Sequence, residues 1–400
     1  MSFSKNDINR TILQQRAYNL RWAEVNENVI PLTAADPDFP CAPQIAEAIQ
    51  SYSNPRYFNY GPPEGLSSLK DAISNFLLNR REVKISSSQI LPVNSAAFGI
   101  YTVCKSFLNR GDEAIIFDPV DFLFRYSIES VGAIAIPFSI PPGSENVDFS
   151  VLENLITAKT KMICLCNPVN PTGKVFTQQE LFSLASVANK HGLIILSDEI
   201  WSDIVFAPNA FTSIAALDEE ISKQTIIVTG LSKSYGLAGL RIGAITTSNV
   251  AYFEKIYAAS MHQSTINGVS TLSQIAATTA LNDCQDWLCQ FLEHLSNMRT
   301  LCVDSINNIH GFSCLAPQGC YVAFIDIRKT GMSAEEIYFY LLNEAKVAVV
   351  PGLKQWFGKG AEGYIRISFA TTENILNEAF YNIQNAMNKI KSSSLTNQYP

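Results

Sequence analysis

The sequence predicts an α/β protein, with a large domain built on a mainly parallel central sheet sandwiched by helices and a smaller α+β domain behind it. Three observations carry that prediction. Between residues 65 and 245, amphipathic helical stretches alternate with short apolar strands, the pattern of a parallel sheet with crossover helices. Each of those strands runs into a polar cluster, at Asp118, at residues 167–173, at Asp198 and at Ser232-Lys233. Beyond about residue 285 the texture changes, through one long helical stretch, to strand-rich segments.

Taken in order, residues 66–80 read as a helix, and residues 96–108 as another that ends before the turn Asn109-Arg110-Gly111-Asp112. Residues 114–117 form a buried strand, 162–166 a second, 193–196 a third and 225–229 a fourth, with a helix at 178–190. A helix over about 283–308 leads to strands at 320–327 and 364–369. Residues up to about 41 hold too few apolar side chains to fold alone and are expected to pack on the second domain. The implied division is 1–45 for that segment, 46–285 for the large domain and 286–400 for the small one, with a frayed Ser-rich tail from Ser392 to Pro400. Open α/β sheets bind ligands beyond the carboxyl ends of their strands, so the polar clusters are expected to converge on one crevice.

Composition narrows the function. Hydrophobic residues make up 47% and charged ones 16%, a balance suited to a large packed core. The net charge of -7 offers no basic footprint for nucleic acid or for an anionic membrane. No apolar run reaches the roughly 18 residues that span a bilayer, and the polar opening lacks a signal-peptide core, so the expected compartment is the cytoplasm. Nine cysteines, with Cys164 and Cys166 alternating on one face of a strand, read as buried reduced thiols. No C-x-x-C pair is present, and His191, His262, His294 and His310 lack ligand spacing, so no metal site is expected.

Four residues stand out chemically. Lys233 lies in Ser232-Lys233-Ser234-Tyr235-Gly236, ahead of Gly239-Leu240-Arg241-Ile242-Gly243, where small neighbours let an aldehyde approach its amine. Desolvation and a nearby cation such as Arg241 would lower its pKa and supply the neutral nucleophile. Taken alone, a lysine after a strand is an ordinary surface residue. Asp198 closes a buried strand, where it is either a helix cap or the partner of a protonated ring nitrogen. Asn170, in Asn167-Pro168-Val169-Asn170-Pro171-Thr172-Gly173, sits in a turn stiffened by two prolines. Arg366, in Tyr364-Ile365-Arg366-Ile367-Ser368, is either a solvated strand arginine or a bidentate clamp for a carboxylate.

Together and in this order, these motifs resemble the class I/II aminotransferases, the fold-type I enzymes that use pyridoxal 5′-phosphate (PLP). The resemblance covers nearly the whole chain. It implies that Lys233 forms the Schiff base and later acts as base on the α-proton. It implies that Asp198 pairs with the pyridine nitrogen, that Asn170 touches the phenolic oxygen and that Arg366 binds the substrate α-carboxylate. Ser232 and Arg241 would hold the phosphate, with Ser95, Ala96 and Ala97 offering backbone N–H groups at a helix start. Ala35 would meet the substrate carboxylate through its backbone. Tyr60 would reach the phosphate in a neighbouring subunit, so the resemblance implies a homodimer. The implied reaction is ping-pong transfer of an amino group from an L-amino acid to a 2-oxo acid.

Two departures bear on the reaction. The family usually carries a ring-stacking aromatic where this chain has Asp121, in Asp118-Pro119-Val120-Asp121-Phe122. Either Phe122 or Phe124 covers the cofactor ring, with Phe122 preferred, or a negative charge sits beside it. Trp201 stands where many aminotransferases have a tyrosine; its indole N–H donates with a different reach. Residues 198–206, with Arg21-Trp22 and Ala35-Asp36-Pro37-Asp38-Phe39, also look like the carbon-sulfur β-lyase branch, similar to cystathionine β-lyase. A catalytically silent regulatory relative is the reading of another class. It has no reason to keep Lys233 with Asp198, and no DNA-binding segment is expected ahead of the fold. No second arginine is assignable to a side-chain carboxylate, so neutral amino acids are the expected substrates.

Overall fold

The structure, a computed structural model, describes residue 3 and residues 8–396, with side chains as far as residue 390. Its strands are β1 (Ile30–Pro31), β2 (Ile90–Val93), β3 (Glu113–Asp118), β4 (Ile134–Ser139), β5 (Thr160–Cys166), β6 (Ile194–Asp198) and β7 (Thr225–Gly230). They continue with β8 (Gly243–Thr246), β9 (Ser313–Cys314), β10 (Val322–Asp326), β11 (Val347–Ala348), β12 (Val350–Pro351) and β13 (Tyr364–Ser368). A seven-stranded sheet has the order β2-β8-β7-β6-β5-β3-β4. All its strands run the same way except β8, which is antiparallel to both β2 and β7. A second, antiparallel sheet has the order β12-β13-β10-β9.

Apolar alternation explains why helices cover both faces of the large sheet. On β5, Met162, Cys164 and Cys166 point into one core with Val103 and Cys104 of the helix Ala96–Phe107. Ile163 and Leu165 point into the opposite core with Leu181 and Leu184 of the helix Gln178–Lys190. All nine cysteines are free; Cys289 is exposed and Cys41 half-buried, against the expectation of burial, while the other seven are buried, which pushes the thiols of Cys104 and Cys314 up to about 12. Such thiols are inert filler.

The predicted strands and helices of the large sheet are present, with ends moved by a residue or two. Strands β2, β4 and β8 are additions. Edge strand β4 carries Pro137 and alternates only between exposed and half-buried positions, so it lacks the apolar run that marks a buried strand. Strand β8 is only four residues long and starts at Gly243. The helix Glu373–Thr396 continues through Ser392, where a frayed tail was expected, while the remainder of that tail, residues 397–400, lies outside the described residues.

The N-terminal segment is stitched on by backbone and by charge. Strand β1 pairs in parallel with β11, and the Leu32 N–H donates to Ala348 O at 2.8 Å. Arg21 and Asp38 form an ion pair whose side chains are fully buried, and Trp22 Nε1 donates to Asp38 Oδ1 at 2.8 Å. Removing one partner of such a pair strands the other charge in the interior. Asp38→Ala is therefore expected to destabilise the fold by about 3–5 kcal/mol, whereas a surface salt bridge such as Arg10–Glu378 should yield under about 1 kcal/mol on the same change. Denaturant unfolding of the two variants side by side checks this, and equal losses would contradict it.

Candidate active site

Five chain segments leave the same edge of the large sheet: those after β2, β3, β5, β6 and β7. They close a cavity of about 280 Å³. The residues to which the sequence gives a cofactor or substrate role all line it, except Phe122 and Tyr60.

One end of the cavity is built for an anion. Ser95 caps the helix Ala96–Phe107, its Oγ accepting from Phe98 N at 3.1 Å, and Arg241 Nη2 donates to the same Oγ at 3.1 Å. The free N–H groups of the first helical turn and the Arg241 guanidinium thus face one spot. Gly243 makes this possible, because a Cβ there would lie 2.7 Å from Ala96 N and 2.9 Å from the Ser95 carbonyl carbon.

The middle holds an amine and an acid. Lys233 Nζ donates to Ala35 O at 2.5 Å and lies 5.4 Å from the Trp201 ring centre. Burial lowers its pKa; Asp36 opposes this and Arg366 reinforces it. The cation that acts on Lys233 is therefore Arg366. Arg241, to which the sequence assigns that part, is turned toward Ser95 instead. Asp198 is 8% exposed, and its Oδ1 accepts from Ile200 N at 3.1 Å. Burial pushes its carboxyl up to about 7, with the Ile200 N–H opposing and Asp121 and Glu199 adding repulsion. Lys233 is the cation that partly offsets this, but it forms no ion pair with Asp198, and a buried acid left in that state suits a pyridinium.

At the far end, Arg366 on β13 is 7% exposed. Its hydrogen-bond partners are neutral: Nη1 donates to Asn170 Oδ1 and Nη2 to Thr33 O, both at 3.0 Å, while Nε is buried without a partner. A carboxylate would complete that guanidinium. Asn170 in turn donates from Nδ2 to Asp121 Oδ2 at 2.8 Å. The turn that presents Asn170 depends on Gly173, whose φ of 71° no side chain favours and whose Cβ would meet Gly319 O at 2.8 Å.

The anion cradle, the amine and the buried acid match in kind the phosphate, the aldehyde and the pyridine nitrogen of PLP, so the residues present fit this cofactor. A family model described as "Aminotransferase class I and II" matches residues 27–383. The chain belongs to that family. It is 34% identical over 364 residues to an aspartate aminotransferase of Bacillus sp. (strain YM-2), covering 89% of this chain and 91% of that one. A PLP-bound putative aminotransferase from Clostridium difficile 630 superposes with a TM-score of 0.85 at 28% identity, over 90% of this chain and 93% of that one. The fold is shared with cystalysin from Treponema denticola, at a TM-score of 0.89 and 23% identity, over 97% and 99% of the two chains. The protein is a PLP-dependent aminotransferase, and neither the β-lyase nor the silent reading gains support from these matches.

In this aminotransferase the position of Phe122 overturns one expectation. Its ring, 36% exposed, packs edge-on against Trp356 at 5.5 Å and lines a neighbouring outer cavity of about 830 Å³. The helix Leu123–Ser130 starts immediately after it and turns Asp121, Leu123 and Phe124 toward the inner cavity instead. Tyr60 is 96% exposed and far from covering anything in its own chain. Two contributors were missed. Tyr321 is fully buried, donates to Ala35 O at 3.2 Å and meets the Trp201 ring edge-on at 4.7 Å, so Ala35 O receives both Tyr321 and Lys233. Glu199, held by Ser213 at 2.7 Å and Ser197 at 3.0 Å, is likewise pushed up to about 7 by burial. Nothing in an apolar strand marks its one tyrosine, whereas the acidic pair Asp198-Glu199 after a buried strand was a signal for both carboxylates.

Two outcomes follow for this site. Lys233→Ala is expected to abolish the visible absorbance of lysine-bound PLP while leaving the fold intact by circular dichroism. The second concerns pH. A carboxyl raised from 3.8 to about 7 on folding binds its proton more tightly in the folded apoenzyme. Its contribution to stability is thus full below about pH 4 and is lost as pH rises toward about 7. Apoenzyme carrying Asp198→Asn should lose less stability than wild type across that window, and identical melting profiles would contradict the assignment.

Proposed function

We propose that this aminotransferase holds its amino donor by the α-carboxylate on Arg366, with Lys233 moving the α-proton and Asp198 holding the cofactor's ring nitrogen. The observation that carries this reading is Arg366 itself: a buried guanidinium with neutral partners and one idle N–H, on the same cavity as a lysine of lowered pKa. PLP, when bound, supplies a conjugated electron sink for the substrate's α-carbon. The chain supplies everything else. Ser95, Ala96, Ala97, Ser232 and Arg241 would hold the phosphate, and Asn170 and Trp201, on the same cavity, would hold the ring. Burial lowers the Lys233 pKa and so favours the neutral amine that takes up and returns a proton. Ala35 O, bonded to Lys233 and Tyr321, fixes where that amine rests.

Amino acids without a side-chain carboxylate, neutral ones first among them, remain the proposed donors. The outer cavity offers Arg21 and Lys346 as further cations, but Arg21 is committed to Asp38 and Lys346 is exposed. The relative from Bacillus sp. is named for aspartate, so the donor is a point on which the two proteins are proposed to differ. A homodimer is proposed because Tyr60 is almost wholly exposed beside exposed Tyr57 and Phe58, in keeping with a role in a neighbouring subunit. Domains of 46–285 and 286–400, with residues 1–45 on the smaller, are supported by the two separate sheets and the β1–β11 pairing. Cytoplasmic residence is supported by nine free thiols.

Arg366→Ala tests the reading. Loss of a charge-assisted fork worth roughly 1.5–3 kcal/mol should lower kcat/KM by about tenfold to a hundredfold with the cofactor spectrum unchanged. A change within about twofold, with normal cofactor content, would mean that another group binds the carboxylate.

A further inference from the structure

Asp121 is the residue at which the inner and outer cavities meet, and Arg366 is shared in the same way. It stands on the polar chain Arg366–Asn170–Asp121, at 3.0 and 2.8 Å, and its second oxygen accepts only a long bond from Leu123 N at 3.3 Å. A carboxylate has about four acceptor sites, so two remain open toward the cavities. Burial disfavours its charge, and Arg366 is the cation that most offsets this.

A donor amino acid changes that balance. Once the substrate α-carboxylate sits on Arg366, the charge that stabilised Asp121 is shared with a second anion. A substrate side chain that leads from the inner cavity to the outer would pass this carboxylate, which lines both. Charged groups elsewhere in the outer cavity do not alter the sign: Arg21 is spent on Asp38, and Glu24 and Lys346 are opposite charges on its exposed rim. Phe122, Trp356 and Phe357 form an apolar part of the wall beyond, beside polar Asn26, Asn28 and Asn343.

We propose that Asp121 is a specificity-determining residue that selects amino donors whose side chain ends in an N–H donor, an amide or a cationic nitrogen, and rejects side-chain carboxylates. The proposal rests on the binding of the α-carboxylate by Arg366 described above. A terminal N–H completes the Asp121 acceptor sites, while a terminal carboxylate meets a like charge in a poorly solvated place. Phe122 points outward, so Asp121 is the charged group that this segment brings to the inner cavity, beside Leu123 and Phe124.

The test compares isosteres in the holoenzyme: glutamine against glutamate, with lysine as the cationic case. Wild type is expected to show kcat/KM at least about tenfold higher for glutamine and for lysine than for glutamate, and Asp121→Asn to shrink both ratios by about tenfold. A binding readout accompanies it, in which α-methylglutamine and α-methylglutamate, which lack an α-proton, are titrated against the visible absorbance of the bound cofactor. Their affinities should follow the same order in wild type and converge in Asp121→Asn. Asp121→Ser serves if the asparagine variant folds poorly. A wild-type preference for glutamate, or ratios unchanged within about twofold in a cofactor-loaded variant, would overturn the proposal alone. Failure of every amino acid to convert the wild-type cofactor would instead remove the functional reading on which it rests.

Discussion

The buried guanidinium of Arg366 is the constraint around which the site is arranged. A charge in that position needs hydrogen-bond partners, and the two that it has come from distant parts of the chain, with Nε left for a ligand. Thr33 O belongs to the N-terminal segment and Asn170 to the turn after β5, while Arg366 itself is carried by β13 of the second sheet. One side chain thus ties three regions together at the cavity. It also sets the electrostatics there, lowering the Lys233 amine and opposing the burial that raises Asp121.

The remaining order follows from sheet topology. Because β3, β5, β6 and β7 are parallel, their carboxyl ends share one edge, and the loops that leave them have nowhere else to place polar residues. Reversed strand β8 does a different job. It lets β2 deliver Ser95 to that edge, and Gly243 at the start of β8 leaves room for the helix N-terminus that completes the anion cradle. Rigid backbone and buried charge together yield a preorganised site, in which the protein's dipoles are set before the ligand arrives.

Legibility varied with the physics of each residue. Asp198 and Arg366 were legible because each interrupts an apolar segment, where an unexplained polar group demands a reason, and Lys233 and Asn170 because each sits in a short motif just beyond a strand. Phe122 was misjudged, since the register of a loop entering a helix decides which of three adjacent residues faces inward, and residues 121–124 contain two phenylalanines with no periodic cue between them. Tyr321 was invisible because one tyrosine in a core strand is ordinary, and its hydroxyl acquires meaning only through Ala35, which is 286 residues away.

By itself, the order of residues determined the fold class and most of the inner cavity, because period-2 and helical apolar patterns set local structure and strand ends on a parallel sheet must converge, while the cofactor chemistry was legible through the resemblance of its motifs to the class I/II aminotransferases. Tertiary structure alone decided which charges act on one another. It put Arg366 rather than Arg241 on Lys233, committed Arg21 to Asp38, and left Asp121 at the meeting of two cavities. Coulomb interactions depend on distance and solvent exclusion, and neither is written in the spacing of residues along a chain.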